Sequence, residues 1–318
     1  MTAVPILLAT GFLGAGKTTL INRLLTAPDG RRLAAIVNDF GAIDIDAALL
    51  AEAADGVVSL KNGCICCSLQ GDLLRSLHLI LRRDPAPDGI VIETSGVSDP
   101  AEIVRALLDP AIFRAAALDA IVGVADARQL ADQPALFNDA LCRAQLRAAD
   151  FVALSKTDLL SQAEAAAIRT RLGALKPARM IFDVEHGRIA PELLFGAALH
   201  RPLPPAPMRP GLASPGFETM SWTAAAPLTL ARFQAAIGQL AGVLVRAKGI
   251  VRFAEQPERP MLFQLVGQRA TLSPGPAGDA ASEPVRLVLI ARGGALDEAK
   301  IRDMLTQCLA SPPPHAQR

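Results

Sequence analysis

The sequence predicts an α/β fold, a mostly parallel sheet flanked by helices, followed by a smaller α+β domain. Three features carry that prediction. Short, continuous apolar runs alternate with helical patterns through the first two-thirds of the 318 residues, the arrangement that gives parallel strands joined by right-handed crossovers. A glycine-rich turn, "GFLGAGKT", ends the first of those runs. Finally, the stretch "RPLPPAPMRPGLASPG" at 201–216 holds six prolines, and the pattern beyond it is different.

Taken in order, the expected strands are "PILLAT" (5–10), "LAAIVN" (33–38), "GIVIET" (89–94), "DAIVGVAD" (119–126), "DFVALSK" (150–156) and "RMIFDV" (179–184), with a short run "VVSL" at 57–60. Most are continuous rather than alternating, as strands covered on both faces are. Helical spacing appears at 17–27 and at 69–83, where Leu73, Leu74, Leu77, Ile80 and Leu81 share one face. Residues 1–200 therefore read as one domain. Prolines at the density of 201–216 cannot continue a helix or a central strand, so that stretch reads as a stiff linker. The second domain is expected over 217–310: a strand (217–223), a helix (229–241), three strand-like runs (243–254, 261–271, 285–292) and a final amphipathic helix (296–309). A Pro/Gly-rich loop at 273–284 lies within it, and 311–318 reads as a frayed tail.

Composition narrows the function classes. Lys+Arg is 32 and Asp+Glu 31, a net charge of +1, with no basic stripe or acidic tail, so neither nucleic acid nor an anionic membrane is an expected partner. No uncharged apolar run approaches the ~20 residues a membrane span needs. The opening "MTAVPILLATGF" lacks a basic start and runs directly into the glycine-rich turn, so it reads as a strand rather than a signal peptide. A cytoplasmic location is the expectation. The five cysteines are odd in number and clustered, which favours metal or redox chemistry over a disulfide framework.

"GFLGAGKT" at 11–18 fits G-x-x-x-x-G-K-[ST], with a strand before it and a helix after it. In that context Gly11, Gly14, Ala15 and Gly16 curl the backbone so that N–H groups face phosphate oxygens, helped by the positive end of the following helix. Lys17 neutralises the β/γ phosphates, the Thr18 hydroxyl ligates Mg²⁺ and Thr19 reaches the α-phosphate. The fold class is thus a P-loop NTPase. At the end of a later strand stands Ser155-Lys156-Thr157-Asp158. GTP-binding proteins use N-K-x-D here: the Asp158 carboxylate accepts from guanine N1–H and the exocyclic amine, and Lys156 stacks over the base. Ser155 in place of Asn is a departure, since a hydroxyl is shorter than an amide and is expected to fall short of bridging the base site to the phosphate loop. A plain strand-to-helix turn is the competing reading.

Two strand ends offer further chemistry. Glu93 in "IETSG" sits two residues before Ser95-Gly96, where NTPases sense the γ-phosphate; it either holds Mg²⁺ through water or orients the attacking water. The alternative is a carboxylate satisfying nearby backbone N–H groups. Asp39 in "NDFG" is a metal-ligand candidate, with an ordinary Asn-Asp turn the alternative.

In "KNGCICCSLQG" (61–71), Cys64, Cys66 and Cys67 fall on a strand-to-helix connection. Cysteines this close do not easily form an unstrained disulfide. Thiolates suit zinc or a similar ion, and two or three of them leave a coordination position open for exchange. Buried apolar packing and a redox switch are the other readings. Cys142 and Cys308, isolated on helical patterns, read as core, and His78, His186, His200 and His315 are scattered.

Phosphate loop, C-x-C-C and base-reading motif in this order resemble the CobW-type metallochaperone GTPases, relatives of the hydrogenase and urease nickel-insertion GTPases. "GFLGAGKTTLIN", "NDFGAIDID", "NGCICCSL", "IETSGVSDPAEI" and "LSKTDLL" resemble the family's N-terminal domain, and "PLTLARFQAAI", "VLVRAKGIVRF" and "VRLVLIARGGAL" its C-terminal domain. The resemblance implies a GTPase with GTP and Mg²⁺ at Gly16, Lys17 and Thr18. It also implies a transferred ion, zinc or cobalt, on Cys64, Cys66 and Cys67. It implies delivery to a client metalloprotein, with a homo-oligomer left open. A metal-sensing regulator and a P-loop small-molecule kinase are the two other classes considered. The family's N-E-F-G-E segment is here Asn38-Asp39-Phe40-Gly41-Ala42, so Ala42 supplies no carboxylate, and no His-rich stretch is present.

Overall fold

The computed structural model describes residues 3–26, 32–37, 57–59, 69–109, 112, 115–176, 180–189, 191–195, 217–275 and 284–310. The chain divides into two compact units, Ala3–Phe195 and a second formed chiefly by the residues from Gly196 onward. The proposed linker at 201–216 and the tail at 311–318 lie outside the described residues.

The first unit is built on a parallel sheet. Its strands are β1 (Val4–Thr10), β2 (Leu33–Val37), β3 (Val57–Ser59), β4 (Gly89–Glu93), β5 (Ala116–Asp126), β6 (Phe151–Ser155) and β7 (Ile181–Val184). They lie in the order β3-β2-β4-β1-β5-β6-β7, and every pairing is parallel. The apolar continuity of the strands has the expected cause. In β1, Ile6 and Leu8 pack with Ile36, Ile90, Ile92, Leu73 and Leu77 on one side, while Leu7 and Ala9, pointing the other way, are equally buried. Helix Leu69–Leu81 presents Leu73, Leu77 and Ile80 to that core, with Leu74 and Leu81 at its margin. A second cluster, including Leu146, Val152, Leu154, Ile168 and Leu172, joins helices Ala140–Ala148 and Gln162–Gly173 to β6.

Local chemistry places the helix starts. Asp99, Asp126, Asp139 and Ser161 each cap a helix by accepting a backbone N–H, and Ser161 with Glu164 completes a capping box.

The second unit is an antiparallel sheet of β8 (Phe217–Ala224), β9 (Leu244–Phe253), β10 (Gln256–Val266), β11 (Arg269–Pro274) and β12 (Val285–Arg292), ordered β11-β10-β9-β12-β8. Helices Leu230–Leu240 and Glu298–Thr306 contribute Phe233, Ile237, Ile301 and Leu305 to a core shared with Met220, Trp222, Leu287 and Leu289. Strand β8 alternates: Met220 and Trp222 are buried while Thr219, Ser221 and Thr223 are exposed.

Here the sequence reading needs correction. The single strand expected over 261–271 is a hairpin. β10 pairs with β11 up to Val266 against Arg269, and Gly267 takes a positive φ of 61° in the turn. Gly-Gln is a weaker turn signal than Asn-Gly, and the apolar Leu265-Val266 running into it hides it. β10 also begins earlier, at Gln256, crossing Pro257 and Pro260 with a register irregularity against β9. An irregularity of that kind is where a strand tolerates proline.

Among the described residues, no helix is long and apolar enough to cross a membrane.

Phe233 anchors the second core, with its ring 5.0 Å from Phe263, edge-on, and 5.8 Å from Phe253. Phe233→Ala should lower stability by about 3–5 kcal/mol. The check is urea denaturation followed by Trp222 fluorescence, since Trp222 lies in the same core.

Candidate functional site

β1 stops at Thr10 and a helix starts at Lys17; the chain between them turns on three glycines with positive φ, Gly11 (147°), Gly14 (74°) and Gly16 (99°). Gly11 is required by space as well as by φ: a Cβ there would stand 2.2 Å from the Val124 carbonyl oxygen of β5. Gly16, in the left-handed region, forms the N-cap of helix Lys17–Leu25 and offers no side chain to its first N–H groups, which leaves those donors available to an anion. The loop is closed on itself by Ala15 N–H donating to Phe12 O (3.3 Å) and by buried Lys17, whose Nζ donates to Phe12 O at 3.2 Å. Thr19 is exposed at the start of the same helix.

Parallel pairing brings the ends of β4, β5 and β6 to this loop. Glu93 ends β4 in register with Ala9 of β1 and Val37 of β2. It is 4% exposed, and its Oε1 accepts the Thr18 hydroxyl at 3.0 Å. The following residues are tied to the loop's root: Thr94 N–H donates to Ala9 O at 2.9 Å and its hydroxyl to Thr10 Oγ1 at 3.1 Å. Gly96 then lies against the loop itself, where a Cβ would come within 2.8 Å of the Leu13 nitrogen.

At the end of β6, Ser155 Oγ donates toward Ala15 O at 2.8 Å, with Ala125 O also within reach at 3.2 Å. The expectation that a hydroxyl falls short of bridging base site and phosphate loop is corrected on the loop side, where the Ala15 carbonyl lies close enough for Ser155 Oγ to reach it. Lys156 adopts a left-handed φ of 56°. Its Nζ donates to Gly14 O at 3.2 Å and pairs with Asp126 Oδ2 at 2.5 Å. Asp158 stands exposed in the short 3-10 turn Thr157–Leu159.

Two participants were missed in the sequence. Asp126, at the end of β5, holds Lys156 with one oxygen and caps the next helix at Gln129 N–H with the other (2.9 Å); a lone aspartate closing an apolar run was its signal. The turn after β7 is the second. His186 and Gly187 have positive φ, and a Gly187 Cβ would stand 2.8 Å from Thr19 O, so this turn rests on the start of the phosphate helix.

Asp39, Cys64, Cys66 and Cys67 lie outside the described residues. Val37 and Ser59, the last described residues before them, pair with each other. Among the described residues, no group of three or more His, Cys, Asp or Glu is placed to hold a metal ion. Cys142 and Cys308 are buried in the two cores. Burial, with a smaller contribution from Asp139, pushes the Cys142 thiol up; burial does the same for Cys308 against a weaker opposing effect of Arg232. Both are inert thiols near neutral pH.

Fold and sheet edge together define a P-loop nucleotide-binding protein. Comparison with known proteins gives the family. Residues 5–183 match "CobW/HypB/UreG, nucleotide-binding domain" and residues 217–309 match "Cobalamin synthesis protein cobW C-terminal domain"; the chain belongs to the CobW/HypB/UreG family. The zinc chaperone CobW of Pseudomonas aeruginosa is 31% identical over 353 residues, covering 98% of this chain and 92% of that protein. Zinc chaperone CobW of a Sinorhizobium species is 33% identical and zinc chaperone YjiA of Escherichia coli 34% identical, each over 61% of this chain and 62% of the relative's own length. The Zn(II)-bound YjiA GTPase structure from E. coli aligns over 98% of this chain at 23% identity, with a TM-score of 0.46.

Ser155→Ala removes the one hydroxyl that joins β6 to the loop at Ala15. A neutral hydrogen bond contributes about 1 kcal/mol, so GDP affinity should fall about fivefold. Fluorescence titration with a labelled guanine nucleotide measures this.

Proposed function

We propose that this chain is a GTP-dependent metal chaperone: it holds a transition metal, zinc or cobalt, on Cys64, Cys66 and Cys67 and delivers it to a client metalloprotein as GTP is hydrolysed. The observation that carries the reading is the convergence of the phosphate loop, Glu93 and Ser155-Lys156 on one sheet edge, in a chain whose family match continues through 217–309. The names of its relatives as zinc chaperones support the cargo. So does the chemistry of three thiols within four positions, a soft donor set that binds zinc and leaves room for exchange.

In this reading, N–H groups from Gly14 to Thr18 and the Lys17 ammonium bind the phosphates. Asp158 reads the guanine edge, and Lys156 packs beside the base. Mg²⁺ fits the donor set: the Thr18 hydroxyl and the buried Glu93 carboxylate, 3.0 Å apart, are oxygen ligands of the kind a hard cation takes. Bound there, it would supply neutralising charge to the β- and γ-phosphate oxygens. Glu93 then either ligates through water or orients the attacking water, and Asp39 is the second candidate ligand. Catalysis rests on positioning and charge neutralisation rather than covalent chemistry.

Metal and nucleotide are expected to act on each other. Strands β2, β3 and β4 end side by side, and the chain runs on from two of them into Asp39 and into the cysteines. Whatever GTP does to zinc affinity, zinc does equally to GTP affinity. Competitive chelation should show zinc bound about tenfold or more tightly with a non-hydrolysable GTP analogue than with GDP, within the usual range of such couplings. Equal affinities in the two states would end the coupling. Lys17→Ala should abolish hydrolysis, while joint Cys66→Ala and Cys67→Ala should weaken zinc binding and spare nucleotide binding. Full zinc affinity in that double variant would move the cargo site elsewhere.

A further inference from the structure

One polar side chain at this edge has no part in the reading above. Gln145 lies on helix Ala140–Ala148 and is 1% exposed. Its Nε2 donates to Gly96 O at 3.1 Å and to Ser98 O at 3.2 Å. Two carbonyl acceptors fix the orientation of the amide, since only its nitrogen carries two hydrogens. Both hydrogens are thus spent on one short turn, at the carbonyls on either side of Val97.

That turn carries the residues that follow Glu93. Within it Ser98 N–H donates to Ser95 O at 3.1 Å, and Asp99 immediately caps the next helix at Ala101 N–H, 2.9 Å. On its other side Gly96 touches the phosphate loop at Leu13. Gln145 therefore grips the turn from behind while the loop faces it from the front. The helix bearing Gln145 is itself fixed: Asp139 caps it at Cys142 N–H, 2.8 Å, and just beyond its end Asp150 accepts from Ile121 N–H of β5, 2.8 Å.

Gln145 Oε1 is buried and meets no hydrogen-bond donor among the described residues; Gln145 lines a small cavity with Gly11, Phe12, Ala15, Asp126 and Cys142. A methionine or leucine would bring no unmet acceptor of its own but would leave the Gly96 and Ser98 carbonyls without a donor. The donors toward Gly96 and Ser98 are what an apolar residue would lack.

We infer that Gln145 is a positioning residue for GTP hydrolysis, holding the Ser95–Ser98 turn, and with it the γ-phosphate side of the site, against the phosphate loop. The inference rests on the GTPase reading of this edge. Gln145 acts through the backbone carbonyls of Gly96 and Ser98.

The test compares Gln145→Met, of similar length with no donor, and Gln145→Glu, of the same shape, whose carboxyl offers at most one hydrogen where the amide offers two. Steady-state GTP hydrolysis is measured beside GDP affinity for the full-length chain. The expected result is a kcat about tenfold lower in both variants, with GDP affinity within twofold of the parent, because GDP lacks the phosphate this turn faces. A parent-like kcat in either variant would overturn the inference. So would parallel loss of GDP binding in both variants, which would make Gln145 a support of the fold rather than of the turn. A parent chain that binds GDP but leaves GTP intact would instead remove the GTPase reading on which the inference stands.

Discussion

The organisation of this molecule depends on how closely main-chain atoms approach around the phosphate loop. Gly11 passes the Val124 carbonyl at a distance no side chain permits, and Gly96 lies on Leu13 in the same way. These contacts fix the loop between β5 on one side and the turn after β4 on the other. Everything else at the edge is arranged around that fixed piece of backbone. Thr18 meets Glu93, Ser155 reaches Ala15, and Lys156 reaches Gly14 because the loop cannot drift away from them. An interior buried on both faces of the sheet holds the strand ends that make these contacts.

Much of the first unit was legible in the sequence because its signals are strong and local. Continuous apolar runs marked the parallel strands, and the phosphate loop has a pattern that only a strand-turn-helix context satisfies. The site was legible as far as short motifs carry it: Gly11 to Thr18, Glu93 and the Ser155–Asp158 turn. Partners brought in by topology were not legible. Asp126 meets Lys156 only because β5 and β6 are adjacent, and Gln145 meets Gly96 across 49 positions of sequence. A lone aspartate closing an apolar run marks Asp126 as notable, but nothing in the sequence names Lys156 as its partner, and Gln145 carries no mark at all.

The second unit shows the complementary weakness. Its alternation of exposed and buried residues in β8 is readable, yet the β10–β11 hairpin was concealed by apolar residues running up to a turn of modest propensity. The Ser155 reading failed for a different reason. Side-chain length was judged against a loop of assumed position, whereas the Ala15 carbonyl lies within hydrogen-bond distance of the hydroxyl. Inference from the length of one partner is unsafe when the other partner is a glycine-rich backbone.

The Lys156–Asp126 pair gives the two ends of the site different sensitivities to solution conditions. Its lysine side chain is 44% exposed while the aspartate is almost enclosed, so counterions reach one partner readily and the other poorly. Rising ionic strength weakens such a half-exposed contact, and with it the hold on the turn after β6. The Thr94 and Gly96 contacts at the opposite end are packing and neutral hydrogen bonds, and dissolved salt leaves them largely as they are.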